Sequence, residues 1–275
     1  MRVLVTGAAG GIGGGVGSAL VAAGHDVIGI DRDADGLSAL PEDAETHALD
    51  LRDDDAVEVL LADLEIDCVV SCVGGYEIAA VEDTTVDSFR QQLDTNLTAV
   101  HTVVRAALPS IRERGGRIVV VGSMVGSTAL PYHGAYSAAK AGLRGYTDAL
   151  RREIEPHGAT VAFVEPGPVR TGFNERAAAS VTDRHKSAEA ERRGESPYAH
   201  AYRAFEGYAP AATDLETVVD RIVLAATTDR PRAVYRVSHR ARWLPRVSAV
   251  LPDRLYDRLV RAGLPGGLLG RLIDR

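Results

Sequence analysis

Seven short apolar runs alternate along this chain with longer amphipathic stretches. The runs read RVLVT, DVIGID, THALD, CVVSCV, RIVVVGS, TVAFVEP and AVYRV. Most are continuously apolar, which is typical of strands that are covered on both faces. Helical patterns lie between them, at about 11–24, 53–63, 86–113, 133–155 and 214–227. This alternation predicts an α/β fold, a parallel sheet with helices on both faces.

The composition is that of a globular protein. The 275 residues are 45% hydrophobic and 25% charged, with a net charge of −7. This balance excludes a disordered chain and argues against nucleic acid as a main partner. Cys68 and Cys72 lie in one apolar run and are expected to be reduced core residues. The start MRVLVTG shows no secretory leader, and no apolar stretch is long enough to span a membrane, so a cytoplasmic location is expected.

A glycine-rich run, VTGAAGGIGGG, follows the first predicted strand and opens the first helix. Glycines there let the backbone approach a pyrophosphate, whose charge is met by N–H groups at the helix start. Asp31 ends the second strand, where a carboxylate can accept a hydrogen bond from a ribose 2′-hydroxyl. Its charge would repel a 2′-phosphate, so NAD is favoured, although Arg32 beside it suits NADP. A turn or helix cap is the alternative interpretation of Asp31.

Tyr136 and Lys140 are four residues apart in a helical stretch and therefore share one helix face. An ammonium beside a phenol lowers the phenol's pKa toward the range of a general acid/base. Ser123 ends a strand at the carboxyl edge of the sheet, where ligands of open α/β folds bind. A turn or helix cap is the alternative for Ser123. No HExxH or CxxC pattern occurs, so no metal is expected.

Together these motifs resemble the short-chain dehydrogenase/reductase family in its classical type. The matching residues are Thr6-Gly7-x3-Gly11-Ile12-Gly13, Asp50-Leu51, Asn96, Ser123, Tyr136-x3-Lys140 and Pro166-Gly167-Pro168-Val169-Arg170-Thr171. The resemblance covers roughly residues 1–237. It implies a single doubly wound, Rossmann-type parallel sheet and an NAD(P)-dependent oxidoreductase. Such an enzyme transfers a hydride between the nicotinamide cofactor and a secondary alcohol or ketone.

The resemblance also implies a role for each matching residue. Tyr136 would exchange the substrate hydroxyl proton, and Ser123 would hold and polarise the carbonyl oxygen. Lys140 would bind the nicotinamide ribose and lower the pKa of Tyr136, and Asn96 would anchor a water that links Lys140 to solvent. The implied cofactor contacts are Gly7, Gly11, Ile12, Gly13, Asp31, Arg32, Asp50, Leu51, Gly74, Tyr136, Lys140, Val169 and Thr171.

One part of the chain departs from the family pattern. Where the family usually has Asn-Asn-Ala-Gly, this chain has Ser71-Cys72-Val73-Gly74. Gly74 keeps the close approach to the cofactor, but the hydrogen bonds of the asparagines must be lost or replaced by Ser71.

Three segments define the expected organisation. Residues 1–239 form the dinucleotide-binding and catalytic domain, and residues 170–212 within it are interpreted as a substrate lid. The aromatic residues of the lid favour an apolar substrate; they are Phe173, Tyr198, Tyr202, Phe205 and Tyr208. Residues 240–275 form a basic amphipathic appendix with eight arginines and three aspartates. It is expected to pack on the lid or a neighbouring subunit, with contact to a membrane surface as the alternative.

Two other functions stay open at this point. Gly7, Gly10 and Gly13 also fit the spacing of extended family members, so a nucleotide-sugar epimerase or dehydratase is one alternative. A dinucleotide sensor without activity is the other, and the retained catalytic side chains argue against it. The resemblance further implies a homodimer or homotetramer, paired through helices near 96–112 and 136–153. Val100 and Val104 are among the apolar residues expected at that interface.

Overall fold

The computed structural model describes residues 1–173, 177, 196–205 and 212–264 of the chain. Its strands are β1 (Arg2–Thr6), β2 (Asp26–Asp31), β3 (Glu45–Ala48), β4 (Cys68–Ser71), β5 (Arg117–Val121), β6 (Thr160–Glu165) and β7 (Val234–Arg236). They form one sheet in the order β3-β2-β1-β4-β5-β6-β7, and every neighbouring pair is parallel. The predicted α/β fold and its seven strands are confirmed. Because the strand order reverses between β1 and β4, a ligand cleft is expected at their carboxyl ends.

The helices are α1 (Gly11–Ala22), α2 (Ala34–Leu37), α3 (Asp54–Leu61), α4 (Val86–Leu93), α5 (Ala99–Glu113), α6 (Gly134–Ile154), α7 (Ala199–Phe205), α8 (Leu215–Thr227), α9 (His239–Val250) and α10 (Asp253–Ala262). The stretch 86–113, predicted as one helix, is interrupted by a π-helical turn at Asp94–Thr98. Asn96 in this turn is fully buried, and its amide bonds backbone groups outside the helix ladder.

Two apolar cores lie on opposite faces of the sheet, because side chains alternate along each strand. Val3 and Val5 of β1 pack with residues of α1 and α8. Leu4, between them, packs with residues of α3, α5 and α6. Val100 and Val104 belong to this second core and have almost no exposed surface. The expectation that they offer an interface to another subunit is therefore wrong, since the core face of α5 is already covered.

The C-terminal helices lie against the body of the protein. Ser238 caps α9, because its hydroxyl oxygen accepts a hydrogen bond from the Ala241 amide at 3.0 Å. Ala241 and Leu244 pack near Tyr136, whereas Leu264, just after α10, packs beside Tyr202 and Phe205. The inner side of this segment thus contacts the protein. Its membrane contact stays a prediction.

The predicted lid is described in part. Residues 174–176, 178–195 and 206–211 lie outside the described residues, and Tyr208 is among them. Tyr202 joins the described helix α7 to the loop that precedes α4. Its hydroxyl donates to Asp83 at 2.6 Å and accepts from the Ala80 amide at 2.8 Å. Across the described ranges, every helix is too short or too polar to cross a bilayer.

Candidate active site

A cavity of about 740 Å³ lies at the carboxyl edge of the sheet. It is bordered by the residues that follow β1, β2, β4, β5 and β6. All the residues predicted to contact a cofactor border this cavity, and so does Ser123. Asn96 lies behind the cavity wall. The structure therefore brings the predicted residues together at the edge where the fold places a ligand.

The glycine-rich loop forms a cradle that has no room for a side chain at Gly7 or Gly13. Gly7 has a φ of +70°, and a Cβ there would lie 2.8 Å from the Cys72 carbonyl carbon. A Cβ at Gly13 would overlap the Gly7 carbonyl oxygen. The N-cap residue of α1, Gly10, makes no side-chain capping bond, and the first turn carries no acidic residue. The backbone N–H groups at this helix start suit the pyrophosphate of a dinucleotide.

Asp31 lies at the other end of the cradle. Its carboxylate accepts hydrogen bonds from the amides of Ala9 and Asp33, both at 3.1 Å. The bond from Asp33 forms a turn, which is the alternative role that the sequence predicts for Asp31. The bond from Ala9 links β2 to the glycine loop. Asp50, nearby, pairs with Arg52, and this hydrogen-bonded guanidinium lowers the pKa of Asp50 to about 2.

Tyr136 lies in the first turns of α6 and is buried. Ser123 follows β5 in an extended conformation and borders the same cavity as Tyr136. Burial raises the pKa of Tyr136 above its usual value, and the nearby Ser123 hydroxyl lowers it in part. The phenol is therefore protonated at neutral pH in this structure. The Ser123 oxygen also accepts from the Val125 amide at 3.4 Å, so the predicted cap coexists with the predicted site.

Lys140 is buried one helical turn beyond Tyr136. Its Nζ lies 3.5 Å from the Val121 carbonyl oxygen and 5.7 Å from the ring centroid of Tyr136. Burial lowers the pKa of Lys140 to about 8. Burial is the main cause of the raised pKa of Tyr136 in this structure. The lowering of that pKa by Lys140 stays a prediction.

Asn96 fixes the loop after β4. Its Nδ2 donates to the Gly75 carbonyl at 2.7 Å, and its Oδ1 accepts from the Gly75 amide at 3.2 Å. A Cβ at Gly74 would lie 3.1 Å from Asn96 Oδ1 and 3.4 Å from Lys140 Nζ. Because Gly74 has no side chain, only its backbone lies between Asn96 and Lys140. The water expected at Asn96 stays a prediction.

Several residues of the cavity escaped sequence reasoning. Tyr76 stacks on Tyr136 with ring centroids 4.8 Å apart, and it also contacts Phe173 at 5.1 Å. Tyr76 directly follows Gly74 and Gly75, and this position is the sequence feature that could have indicated a place in the cavity. The C-terminal helices contribute as well. Apolar side chains of the wall include Tyr76, Ile78, Met124, Val125, Leu130, Phe173, Phe205, Leu244, Leu259, Val260 and Leu264.

A buried carboxylate, Glu165, stabilises the carboxyl edge of the sheet. It is 1% exposed at the end of β6, immediately before Pro166. It accepts hydrogen bonds from Ser127 at 2.6 Å, from Arg144 at 3.3 Å and from Arg236 at 2.8 Å. Glu165 thus joins the loop after Ser123 to α6 and β7, which holds the wall around Tyr136 in place.

This edge combines a dinucleotide cradle with a buried proton donor, and that combination defines a nicotinamide-dependent oxidoreductase. The chain belongs to the short-chain dehydrogenase family, whose model, described as short chain dehydrogenase, matches residues 1–181. It is therefore an oxidoreductase that acts on CH–OH groups with a nicotinamide cofactor.

Individual relatives agree with the family assignment. A probable short-chain type dehydrogenase/reductase, VdlC, of Helicobacter pylori is 27% identical over 274 residues, 94% of this chain and 96% of that protein. L-fucose dehydrogenase of Oryctolagus cuniculus is 31% identical over 190 residues, 66% of this chain and 67% of that protein. A solved short-chain dehydrogenase from Streptomyces avermitilis superposes with a TM-score of 0.75 at 28% identity, covering 94% of both chains.

Proposed function

We propose that this protein interconverts a secondary alcohol with an apolar skeleton and the corresponding ketone, using NAD. The observation that carries the proposal is that Ser123 and Tyr136 both border a largely apolar cavity beside the dinucleotide cradle. The glycine loop supplies the cradle, and the apolar wall supplies the space for the substrate.

The reaction assigns one task to each polar residue. In the oxidative direction Tyr136 would act as the phenolate, which takes the proton of the substrate hydroxyl while a hydride leaves the carbinol carbon. Ser123 donates a hydrogen bond to the substrate oxygen and so orients it toward Tyr136. Lys140 would hold the ribose beside the nicotinamide, and Val169 and Thr171 would contact the nicotinamide end. NAD, when bound, supplies the hydride acceptor. In reduction the same residues act in reverse, and Tyr136 donates the proton.

Asp31 supports the choice of NAD. Its carboxylate borders the cavity beside the glycine loop, at the position where a ribose hydroxyl can donate to it. A 2′-phosphate placed there would meet the same negative charge at close range. Arg32 also borders the cavity. We therefore expect the protein to use NADP as well, but more slowly than NAD.

The wall around Tyr136 supports an apolar substrate. Tyr76, from the loop after β4, and Phe173, from the start of the lid, contact the ring of Tyr136. Leu244, Leu259 and Leu264 border the same cavity from the C-terminal segment. An apolar skeleton would bury these side chains, since apolar surface is stabilised when it leaves water.

The two alternative functions fit this site less well. A nucleotide sugar carries a diphosphate, whereas the wall next to Tyr136 is formed mainly by aromatic and aliphatic side chains. A sensor would have no use for Ser123, Tyr136 and Lys140 at the edge of one cavity. Both alternatives make different predictions for cofactor turnover.

The test is to incubate the purified protein with NAD, and separately with NADP, and a panel of secondary alcohols of increasing apolar size. We expect reduced nicotinamide to accumulate only with alcohol, faster with NAD, and with greater efficiency for the larger apolar members. Tight NAD binding without turnover would support the sensor instead. Interconversion of nucleotide sugars without net reduction would support the epimerase.

A further inference from the structure

His133 places a second polar group in the substrate cavity. It is the residue that precedes α6, three positions before Tyr136, so about 5 Å separates the two along the helix axis. The imidazole borders the same cavity as Tyr136. Its ring stacks on Tyr76 with centroids 5.6 Å apart, and Tyr76 also stacks on Tyr136. His133 therefore belongs to the surroundings of the reacting hydroxyl.

The backbone next to His133 is strained and firmly held. Among the described residues Tyr132 is the non-glycine residue with a positive φ, at 66°. Its carbonyl oxygen accepts from the Ala79 amide at 2.8 Å, and its ring contacts Tyr202 and Phe205 of α7. Strained backbone of this kind persists where the surroundings determine it, and it clusters at functional sites. The position of the His133 ring is thus fixed by contacts on both sides.

The hydrogen bond of His133 determines which nitrogen is left to the cavity. Nδ1 lies 2.8 Å from the Pro131 carbonyl oxygen. A carbonyl can only accept, so Nδ1 carries the hydrogen. Burial lowers the pKa of His133, which keeps the ring neutral at pH 7. Nε2 is therefore an acceptor, and no donor among the described residues pairs with it.

We propose that Nε2 of His133 accepts a hydrogen bond from a second hydroxyl group of the substrate, so that the preferred substrate is a diol or hydroxyketone with an apolar skeleton. Because His133 and Tyr136 border the same cavity and both stack on Tyr76, one substrate can reach both side chains. This inference rests on the proposed function, since it concerns the substrate of the same site. An acceptor in an otherwise apolar wall rejects a substrate that leaves it unpaired.

The test compares a cyclohexanediol with adjacent hydroxyls and its monomethyl ether, which keeps the ring and both oxygens but cannot donate from the second oxygen. We expect the protein to use the diol at least about 10-fold more efficiently in kcat/KM. The variant His133→Phe keeps the aromatic stacking and should lose this preference, with the ether unchanged. His133→Gln restores an acceptor and should recover part of it. Equal efficiency for diol and ether, or an equal loss for both in His133→Phe, would overturn the inference.

A second measurement does not depend on turnover. Nitrogen magnetic resonance of protein labelled in histidine should show His133 as the neutral form protonated at Nδ1, with the Nε2 signal moved by the diol and not by the ether. The opposite tautomer, or a charged ring at neutral pH, would overturn the inference. Absence of turnover with every alcohol and both cofactors would instead reject the proposed function, and the resonance of Nε2 then decides the role of His133 alone.

Discussion

Lys140 is a buried cation whose burial lowers the stability of the folded protein. Burial lowers its pKa from 10.5 to about 8. This difference corresponds to on the order of 3 kcal/mol of lost stability. Below pH 8 both the folded and the unfolded chain bind the proton, so the loss is constant. Between the two pKa values only the unfolded chain binds it, so the folded state gains stability as the pH rises.

We therefore expect Lys140→Met, which keeps the apolar stem, to be more stable and inactive. Urea unfolding at pH 7 should show a gain of about 1–3 kcal/mol. The gain should shrink as the pH is raised toward 10.5. A variant that is less stable than the parent, or a gain that does not depend on pH, would contradict the buried ammonium.

We predict that Asp31 sets the choice between NAD and NADP. Replacing it with Ser removes the charge that opposes a 2′-phosphate and leaves Arg32 to bind it. We expect the ratio of kcat/KM for NADP to that for NAD to rise by about 10-fold or more. Asp35→Ser is the matched control, because Asp35 is exposed in α2 and does not border the cavity. A parent protein that already prefers NADP would show that Asp31 has been misinterpreted.

The limits of sequence reasoning are clear for single residues. Tyr136 and Lys140 could be found because helical spacing alone puts them on one face. Glu165 could not, because two arginines distant in the chain compensate its charge. Nor could His133, because its hydrogen bond to Pro131 and its contact with Tyr76 exist only after folding.

At the scale of elements, continuous apolar runs were enough to predict all seven strands. The helices were harder. The break between α4 and α5 depends on the buried amide of Asn96, whose partner Gly75 lies in another loop. Helices α9 and α10 were described only as an appendix, since Pro245 and Pro252 indicated interruptions and the contacts of Leu244 with the cavity are tertiary.

Helix α10 carries a prediction of its own. Leu259 is 39% exposed and borders the cavity, whereas Val250 of α9 is 82% exposed and does not. Leu259→Ser should raise the KM of a large apolar alcohol by about 10-fold, because several buried CH₂-sized contacts are lost. The KM of this variant for propan-2-ol and the affinity of the variant for NAD should stay unchanged. Val250→Ser is the matched control, and an equal effect of both would remove α10 from the substrate wall.

Sedimentation with anionic liposomes addresses the other expectation for this segment. The outer side carries Trp243 at 60% exposure and Val250, among several arginines. Binding of the intact chain, reduced in a double Ser variant of these two residues, would support contact with a membrane surface. No binding by the intact chain would reject it.

At the scale of the whole molecule, we expect a homodimer or homotetramer paired through α5 and α6. Along α6 the exposed positions include Ala141, Gly145 and Ala149, which leave a flat surface. A Cβ at Gly145 meets no atom within 4 Å, so the fold of one chain tolerates a side chain there. Gly145→Arg should therefore yield a folded monomer in sedimentation velocity. A parent protein that sediments as a monomer at micromolar concentration would contradict the assembly.

The central claim is that one residue, Tyr136, exchanges the proton while the cradle binds the cofactor. Tyr136→Phe keeps the ring that packs against Tyr76 and removes only the phenol oxygen. The decisive measurement compares this variant with the parent in NAD affinity, by calorimetry, and in turnover of the best alcohol of the panel. The account predicts nearly unchanged affinity and a turnover lower by about 10²–10⁴ or more. Turnover close to that of the parent, with NAD bound equally well, would contradict it.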